Sequence, residues 1–268
     1  MKWDGHVHTP YCPHGSSDSI KKYVETAIKR GFTRLSFTEH APLPKSFMDP
    51  TPHKDSSMNF VQLEKYLKEL RQVKQRYKDD ISIQIGLEVD YIEGFQKEIT
   101  DFLNDYGPML DDSILSVHFL KTHQKWLCID YSREMFQEVI NQLGGIEKVY
   151  ERYYQVYLEA VESDLGFFKP KRMGHLTLVR KFNKKFPITT SYETKIIREI
   201  FKKMSSSQYQ LDMNTAGTRK KDCGQIYPTE TILQEAMQYK IPLIFGSDAH
   251  CANDVGADYQ RVETFLNS

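Results

Sequence analysis

The histidines near the start of the chain have the spacing of a metal site. His6 and His8 are two residues apart in a short β-rich run, and His14 follows six residues later. Alternate residues of a strand project from the same face, so the first two imidazoles are expected to lie side by side. Imidazole nitrogen is a common ligand of zinc and other transition metals. The sequence therefore predicts a metal centre that begins on the first strand.

Further candidate ligands stand at the ends of later apolar runs. In chain order they are Glu39, His40, Glu88, Asp90, His118, His175, Asp248 and His250. Seven of the nine histidines belong to this pattern, which is more imidazole than one ion of about four to six ligands can use. We expect two or three divalent transition-metal ions (Zn, Fe or Mn) that share a bridging carboxylate. Centres of this kind catalyse hydrolysis and displacement at phosphorus.

The joint pattern carries this interpretation, because each member taken alone is weak. A single histidine at a strand end, such as His118 or His175, is more often a hydrogen-bonded structural residue than a ligand. Cys12 stands two residues before His14. It is not counted as a ligand, because the histidines and carboxylates already suffice.

Composition favours a soluble cytoplasmic enzyme. The 268 residues carry 36 basic and 36 acidic side chains, which argues against nucleic acid as the main partner. No apolar run is long enough for a membrane span, and the first residues do not resemble a signal peptide. The four cysteines are scattered and are expected to be free thiols. The oligomeric state stays open.

Strands alternate with helices along the chain. The predicted strands are residues 2–8, 33–38, 81–89, 114–118, 171–175, 208–214 and 242–246. The predicted helices are residues 18–30, 60–77, 95–105, 132–143, 145–163, 191–204, 229–239 and 255–266, with Ser17 or Asp18 as the first N-cap. This order predicts a parallel sheet, either a TIM-like barrel or an open doubly wound sheet. A barrel is favoured, because polar residues end every strand and strand ends converge on one point only when the sheet closes.

Seven short motifs together resemble one family. They are HVHTPYCPHG (6–15), FTEHAP (37–42), GLEVDY (86–91), SVHF (116–119), GHL (174–176), NTAG (214–217) and GSDAH (246–250). On these motifs the chain resembles the PHP superfamily (the polymerase and histidinol phosphatase domain), and in particular its monofunctional histidinol-phosphate phosphatases. The resemblance extends over the whole length and implies a single domain, residues 1–268.

The resemblance also implies a fold and a set of ligands. The family fold is a distorted TIM-like (β/α)7 barrel that holds up to three divalent ions at the C-terminal ends of its strands. By analogy the ligands are His6, His8, Glu88 and Asp248 for the first ion, Glu88, His118 and His175 for the second, and His14, His40 and His250 for the third. Glu39 is expected to orient a neighbouring ligand.

The implied reaction is hydrolysis of L-histidinol phosphate to L-histidinol and phosphate, a step of histidine biosynthesis. We expect Glu88, Asp248 and His250 to act in catalysis. The leaving alkoxide needs a proton, which Asp248 or a water molecule could supply, and the sequence does not choose between them.

Substrate binding is assigned to Arg180, Arg219 and Asn214. Each arginine follows a polar strand end by five residues, and a guanidinium makes paired hydrogen bonds to phosphate oxygens. A solvated loop charge is an equally good interpretation of each arginine. The proline-rich segment 41–58 is either a lid over the site or a surface excursion at the barrel mouth.

Three other functions fit parts of the pattern. One is another PHP-type phosphoesterase that acts on a nucleotide or on another small phosphate ester, and the neutral charge argues against a nucleic-acid substrate. An amidohydrolase also begins with H-x-H, but no lysine stands where such an enzyme would carry its carbamylated ligand. A non-catalytic metal-binding module is disfavoured by the completeness of the ligand set.

Overall fold

Seven parallel strands form the centre of the molecule. The computed structural model describes residues 2–188 and 192–266. Its strands are β1 (Trp3–Val7), β2 (Arg34–His40), β3 (Ser82–Asp90), β4 (Asp112–Ser116), β5 (Phe119–Lys121), β6 (Trp126–Cys128), β7 (Arg172–Met173), β8 (Gln210–Asn214) and β9 (Leu243–Gly246). The main sheet has the order β1-β2-β3-β4-β7-β8-β9, and β5 and β6 form a separate antiparallel hairpin.

The first and last strands of this sheet meet and close it. The His8 N–H donates to the Ala249 carbonyl at 3.0 Å, and the Asp248 N–H donates to the His6 carbonyl at 2.8 Å. The sheet is therefore a TIM-like barrel of seven strands, and the open doubly wound alternative is excluded. Closure brings the carboxyl ends of all seven strands to one mouth.

Helices pack around the barrel and bury one apolar face each. They are α1 (Ile20–Lys29), α2 (Phe60–Arg76), α3 (Gln96–Tyr106), α4 (Arg133–Leu143), α5 (Ile146–Glu162), α6 (Tyr192–Ser206), α7 (Glu230–Gln238) and α8 (Tyr259–Leu266). In α2 the buried face consists of Leu63, Tyr66, Leu67 and Leu70, which have the spacing of one helical stripe. None of the described helices is both long enough and apolar enough to cross a bilayer.

The predicted elements are present with shifted ends. The N-cap of α1 is Ser19, whose side chain accepts from the Lys22 N–H, so the prediction of Ser17 or Asp18 was wrong. The fourth strand begins and ends two residues earlier than predicted, and the fifth is reduced to two residues. The hairpin β5–β6 was not predicted. Position 191, the predicted start of α6, lies outside the described residues.

Tyrosines of α5 support the shortest strand, β7. The Tyr157 hydroxyl donates to the Gly174 carbonyl at 2.8 Å, and the Tyr153 hydroxyl donates to the His175 carbonyl at 3.4 Å. Both tyrosines are fully buried. These bonds stabilise the backbone that follows β7 and so fix the position of His175.

A polar cluster lies near the opposite, amino-terminal ends of the strands. The Arg172 side chain is almost completely buried and donates to Asp112 Oδ2 at 2.7 Å and to the Gly5 carbonyl at 2.8 Å. Ser36 Oγ donates to the same carboxylate oxygen at 2.7 Å. This ion pair ties β1, β2, β4 and β7 together away from the mouth.

Candidate metal centre

The Glu88 carboxylate, near the end of β3, lies at the centre of the barrel mouth. It is buried, and five imidazoles surround it. The neighbours are His175 Nε2 at 2.9 Å and His118 Nε2 at 3.8 Å from Oε1, and His40 Nδ1 at 3.2 Å, His6 Nε2 at 3.4 Å and His8 Nε2 at 3.6 Å from Oε2. A carboxylate with imidazoles around both oxygens has the arrangement expected of a bridging ligand.

Asp248 faces Glu88 from the other side of His6 and His8. Its Oδ1 is 3.1 Å from His8 Nε2 and 3.8 Å from His6 Nε2. The backbone of Asp248 has φ +52°, a left-handed conformation that is uncommon outside glycine and is tolerated best by Asp and Asn. The Asp4 carboxylate accepts from the Ser247 N–H at 2.9 Å and so stabilises this turn.

A third group of imidazoles lies on the outer side of His8. The ring centroids of His14 and His40, and of His14 and His250, are 5.1 Å apart, and those of His40 and His250 are 5.9 Å apart. His14 is exposed at the rim, where its Nδ1 donates to the Asp55 carbonyl at 2.8 Å. The segment 41–58 therefore covers the mouth beside this group. The nine proposed ligands thus occur in one region of the fold. Their ligand atoms come within 4.8 Å of one another in the groups His6/His8/Asp248, Glu88/His118/His175 and His8/Cys12/His40/His250, and His14 lies beside the last of these.

Buried carboxylates stand behind three of the histidines. His6 Nδ1 is 2.9 Å from Asp212 Oδ2, His8 Nδ1 is 3.0 Å from Glu39 Oε1, and His118 Nδ1 is 2.7 Å from Asp90 Oδ1. In each pair the carboxylate accepts from Nδ1–H. With Nδ1–H held in this way, Nε2 is the nitrogen that would bind a metal ion. Glu39 would orient His8 through this contact.

Asp212 was missed by the sequence analysis. It is a charged residue inside the buried strand β8, between Leu211 and Met213, and this was the available signal. Gly246 makes room for its contact with His6, because a Cβ at position 246 would lie 2.6 Å from the His6 Cβ. Ser116 was also missed; its hydroxyl donates to Glu88 Oε1 at 2.6 Å.

Charges within the centre oppose the effect of burial. Burial disfavours the ionised form of Glu88, but the neighbouring His6 and His118 outweigh it and hold its pKa well below the ordinary value. For Asp248, burial is likewise outweighed, chiefly by the neighbouring His6, and the pKa is lowered. These two groups are anionic acceptors for cations.

The two outer histidines, His40 and His250, have lowered pKa values, which favour their neutral forms. Burial, reinforced by the neighbouring His8, lowers the pKa of His40 well below its ordinary value. Burial and His8 have the same effect on the pKa of His250. Both imidazoles are therefore neutral, which is the form that binds a metal ion.

The donor set and its unsatisfied atoms fit divalent transition metals. In the part of the chain that the structure describes, His6 Nε2, His8 Nε2 and His40 Nδ1 are buried and have no hydrogen-bond partner. Three groups of His, Cys, Asp and Glu side chains here have ligand atoms within 4.8 Å of one another. Unsatisfied imidazole nitrogens next to ionised carboxylates are costly unless a cation lies between them.

A cavity of about 280 Å³ opens from Glu88 to the surface. Its wall carries two lysines, Lys181 and Lys220, and three carboxylates besides Glu88 and Asp248, namely Asp55, Asp90 and Asp130. Asp130 accepts from Lys181 at 2.9 Å. The β5–β6 hairpin contributes Phe119 to the wall. The cavity thus combines a cluster of potential metal ligands with two lysines and several acids.

Within the part of the chain that the structure describes, none of the three residues assigned to substrate binding lines this cavity. Arg180 is turned towards Glu193 and donates to it through Nε at 2.9 Å. Arg219 donates to the Ser247 carbonyl at 2.6 Å. Asn214 donates to Asp248 Oδ2 at 3.1 Å and therefore positions that carboxylate. The geometry favours Lys181 and Lys220 over both arginines as contacts for an anion in the cavity.

Comparisons with known proteins agree with this architecture. The PHP domain family model matches residues 4–216. The histidinol-phosphatase of Bacillus subtilis (strain 168) is 52% identical to the chain, over 97% of both proteins. A Deinococcus radiodurans protein assigned as a histidinol-phosphatase is 30% identical, over 94% of this chain and 88% of that protein.

Two solved structures share the fold. A Listeria monocytogenes chain assigned as the histidinol phosphatase hisK has a TM-score of 0.94 and 38% identity, over 97% of this chain and 99% of that chain. The histidinol phosphate phosphatase of Lactococcus lactis, in complex with zinc, L-histidinol and phosphate, has a TM-score of 0.74 and 23% identity, over 99% of this chain and 92% of that chain. The chain therefore belongs to the PHP family, among its histidinol-phosphatases.

Proposed function

We propose that this protein is a metal-dependent phosphomonoesterase that hydrolyses L-histidinol phosphate to L-histidinol and phosphate. The observation that carries the proposal is the buried Glu88 carboxylate, which has imidazole nitrogens of five histidines within 3.8 Å and lines a cavity whose wall also carries Lys181 and Lys220. The 52% identity to a histidinol-phosphatase over nearly the whole chain supports the choice of substrate.

Two or three ions of Zn, Fe or Mn would be held by the three sets of side chains. The ligands we propose are His6, His8, Glu88 and Asp248, then Glu88, His118 and His175, then His14, His40 and His250. When bound, such ions supply Lewis acidity, which polarises the phosphoryl oxygens and makes water acidic near neutral pH. Zinc is the metal in the related Lactococcus structure.

The chain's own residues would position the substrate. Lys181 and Lys220 would hold the phosphate dianion against the centre, and Asp130 would accept from the ammonium group of histidinol. The neighbouring His6 favours the anionic form of Asp248, so this carboxylate would first accept a proton from the attacking water. It would then give that proton to the leaving alkoxide. Glu88 and His250 would hold the attacking water and the phosphate ester next to the Asp248 carboxylate.

We also propose that residues 1–268 form one domain. The family match ends at residue 216, but β9 closes the barrel and is followed by Asp248 and His250. A unit that ended at residue 216 would lack both the last strand and two proposed ligands. The last part of the chain therefore belongs to the same structural unit.

Elemental analysis combined with a phosphate-release assay tests the function. We expect bound metal in the purified protein, release of phosphate from histidinol phosphate, and loss of release after chelation. Glu88→Gln removes the bridging charge. It should lower kcat/KM by more than the roughly 10–100-fold that is typical when a residue hydrogen-bonded to a metal ligand is replaced. Glu138→Gln, on the surface, is the matched control and should behave as wild type.

Two outcomes would contradict the proposal. One is release of phosphate that is equally fast after complete removal of metal. The other is faster hydrolysis of a single-stranded oligonucleotide than of histidinol phosphate, which would favour the nucleotide-directed alternative.

A further inference from the structure

We propose that Cys12 is a thiolate ligand of the outermost metal ion, together with His14, His40 and His250. This inference rests on the proposed function, because it concerns the same metal centre. The Cys12 side chain is buried, with 4% exposed. One ligand atom each from His8, Cys12, His40 and His250 lies within 4.8 Å of the others. The thiol is therefore part of the cluster in space as well as in sequence.

Two buried imidazole nitrogens of this cluster are suited to bind a cation. His8 Nε2 and His40 Nδ1 have no hydrogen-bond partner in the described ranges, and His40 Nδ1 also lies 3.2 Å from Glu88 Oε2. His8 Nε2 lies 3.1 Å from Asp248 Oδ1 and 3.6 Å from Glu88 Oε2, so it belongs with the first ion. The donors left for an outer ion are then the imidazoles of His40 and His250 and the sulfur of Cys12.

The local backbone holds Cys12 in place. The Cys12 N–H donates to the Thr9 carbonyl at 3.0 Å, and the Gly15 N–H donates to the Cys12 carbonyl at 3.1 Å. A Cβ at position 15 would lie 3.1 Å from the Cys12 Cβ. The tight turn between His8 and His14 therefore packs the cysteine beneath the rim. The ring centroid of His14, exposed above it, is 5.1 Å from those of His40 and His250, so His14 would complete a set of four donors, the number that zinc prefers.

Binding converts the thiol to a thiolate, and its proton passes to solvent. The sulfur forms one bond to the metal, and no oxidant or reductant is required. A thiolate is a soft ligand, so an ion with this set is expected to be zinc or iron rather than manganese or magnesium. The outer position would then differ in metal preference from the inner ones, where carboxylates contribute.

Cobalt substitution gives a direct test. Cobalt(II) bound to thiolate has a sulfur-to-cobalt charge-transfer absorption in the near ultraviolet that His and carboxylate ligands do not produce. We expect this band in the cobalt-loaded wild-type protein and its loss when zinc displaces cobalt. Cys12→Ser should abolish the band and lower the affinity for the outermost ion by at least about tenfold. The visible absorption bands of cobalt at the inner positions should persist.

Cys128→Ser is the matched control. Cys128 is also buried and lies on the cavity wall, where its thiol donates to Asp130 at 3.2 Å, but it belongs to none of the ligand groups among the described residues. This variant should keep the charge-transfer band. Cobalt binding without a charge-transfer band in the wild type, or a band that survives in Cys12→Ser, would overturn the Cys12 inference alone. Failure to bind any cobalt would overturn both this inference and the proposed function.

Discussion

Replacing Asp212 by asparagine tests whether the carboxylates behind the histidines control metal binding. Asp212 is completely buried in β8, and its Oδ2 accepts from His6 Nδ1 at 2.9 Å and from Asn214 Nδ2 at 3.1 Å. Its Oδ1 has no hydrogen-bond partner within the described residues. Asparagine has the same shape and keeps an acceptor for His6. The substitution therefore removes the charge without opening a cavity.

The size of the effect follows from the loss of that charge. A hydrogen bond to a charged group contributes about 1.5–3 kcal/mol, and a neutral one contributes about 0.5–1.5 kcal/mol. The difference of about 1–1.5 kcal/mol corresponds to roughly a tenfold change in affinity. Because His6 then donates less electron density through Nε2, we expect Asp212→Asn to bind its metal roughly 10-fold more weakly, near the lower end of the range for such residues.

Competition with a chromophoric chelator measures the affinity, and kcat/KM at saturating metal measures what remains of the activity. We expect activity to recover as metal is added, while Asp101→Asn on the exposed face of α3 matches wild type in both assays. Thermal unfolding of the metal-free proteins separates binding from folding. Wild-type affinity in Asp212→Asn, or a fall in metal-free Tm that accounts for the whole loss, would refute this reasoning.

Three further outcomes are expected. Lys220→Met should lower kcat/KM for histidinol phosphate by roughly 10- to 100-fold through loss of a charged contact to phosphate, whereas Lys221→Met should not; equal kinetics in both would contradict the assignment. Asp112→Ala should destabilise the metal-free protein by about 3–5 kcal/mol in urea unfolding, because it leaves Arg172 buried without its partner; a loss below about 1 kcal/mol would count against it. Burial lowers the pKa of Lys169 to about 8. Since the unfolded chain binds more protons above that pH, wild-type stability should rise from about pH 8 to 10 relative to Lys169→Met, and a flat or falling difference would show that this lysine stays charged.

The convergence of the ligands could be predicted because it depends on two simple periodicities. His6 and His8 share a face of a strand, and parallel strands present their carboxyl ends at the same edge. A polar residue at the end of each apolar run therefore places each side chain at the barrel mouth. Strand order also places Glu88 near His40 and His118, since β3 lies between β2, which ends at His40, and β4, which His118 follows.

The contacts of the cavity wall could not be predicted in the same way. Arg180 and Lys181 are adjacent, and both lie in a short 3₁₀ segment after β7. A turn with about three residues per repeat points neighbouring side chains in different directions, and only its rotation decides which faces the cavity. In the structure Arg180 pairs with Glu193, from the start of α6, and Lys181 pairs with Asp130. Both acidic partners lie outside the 3₁₀ segment that carries the two cations, so the local sequence pattern could not distinguish Arg180 from Lys181.

Closure of the barrel and assembly of the centre depend on the same contacts. His6 and His8 belong to the first strand and the segment just beyond it, and Asp248 follows the last strand. The backbone bonds that join these segments also set the distance of Asp248 Oδ1 from His8 Nε2. A cation between them would bind the closed barrel and not the open chain, so it would stabilise the closed state by mass action, by about 4 kcal/mol at a thousandfold excess over Kd. A bound metal would thus offset part of the cost of bringing imidazoles and carboxylates together. That stabilisation would help a positive-φ aspartate, and the buried polar atoms that have no partner within the described residues, to coexist with a stable fold.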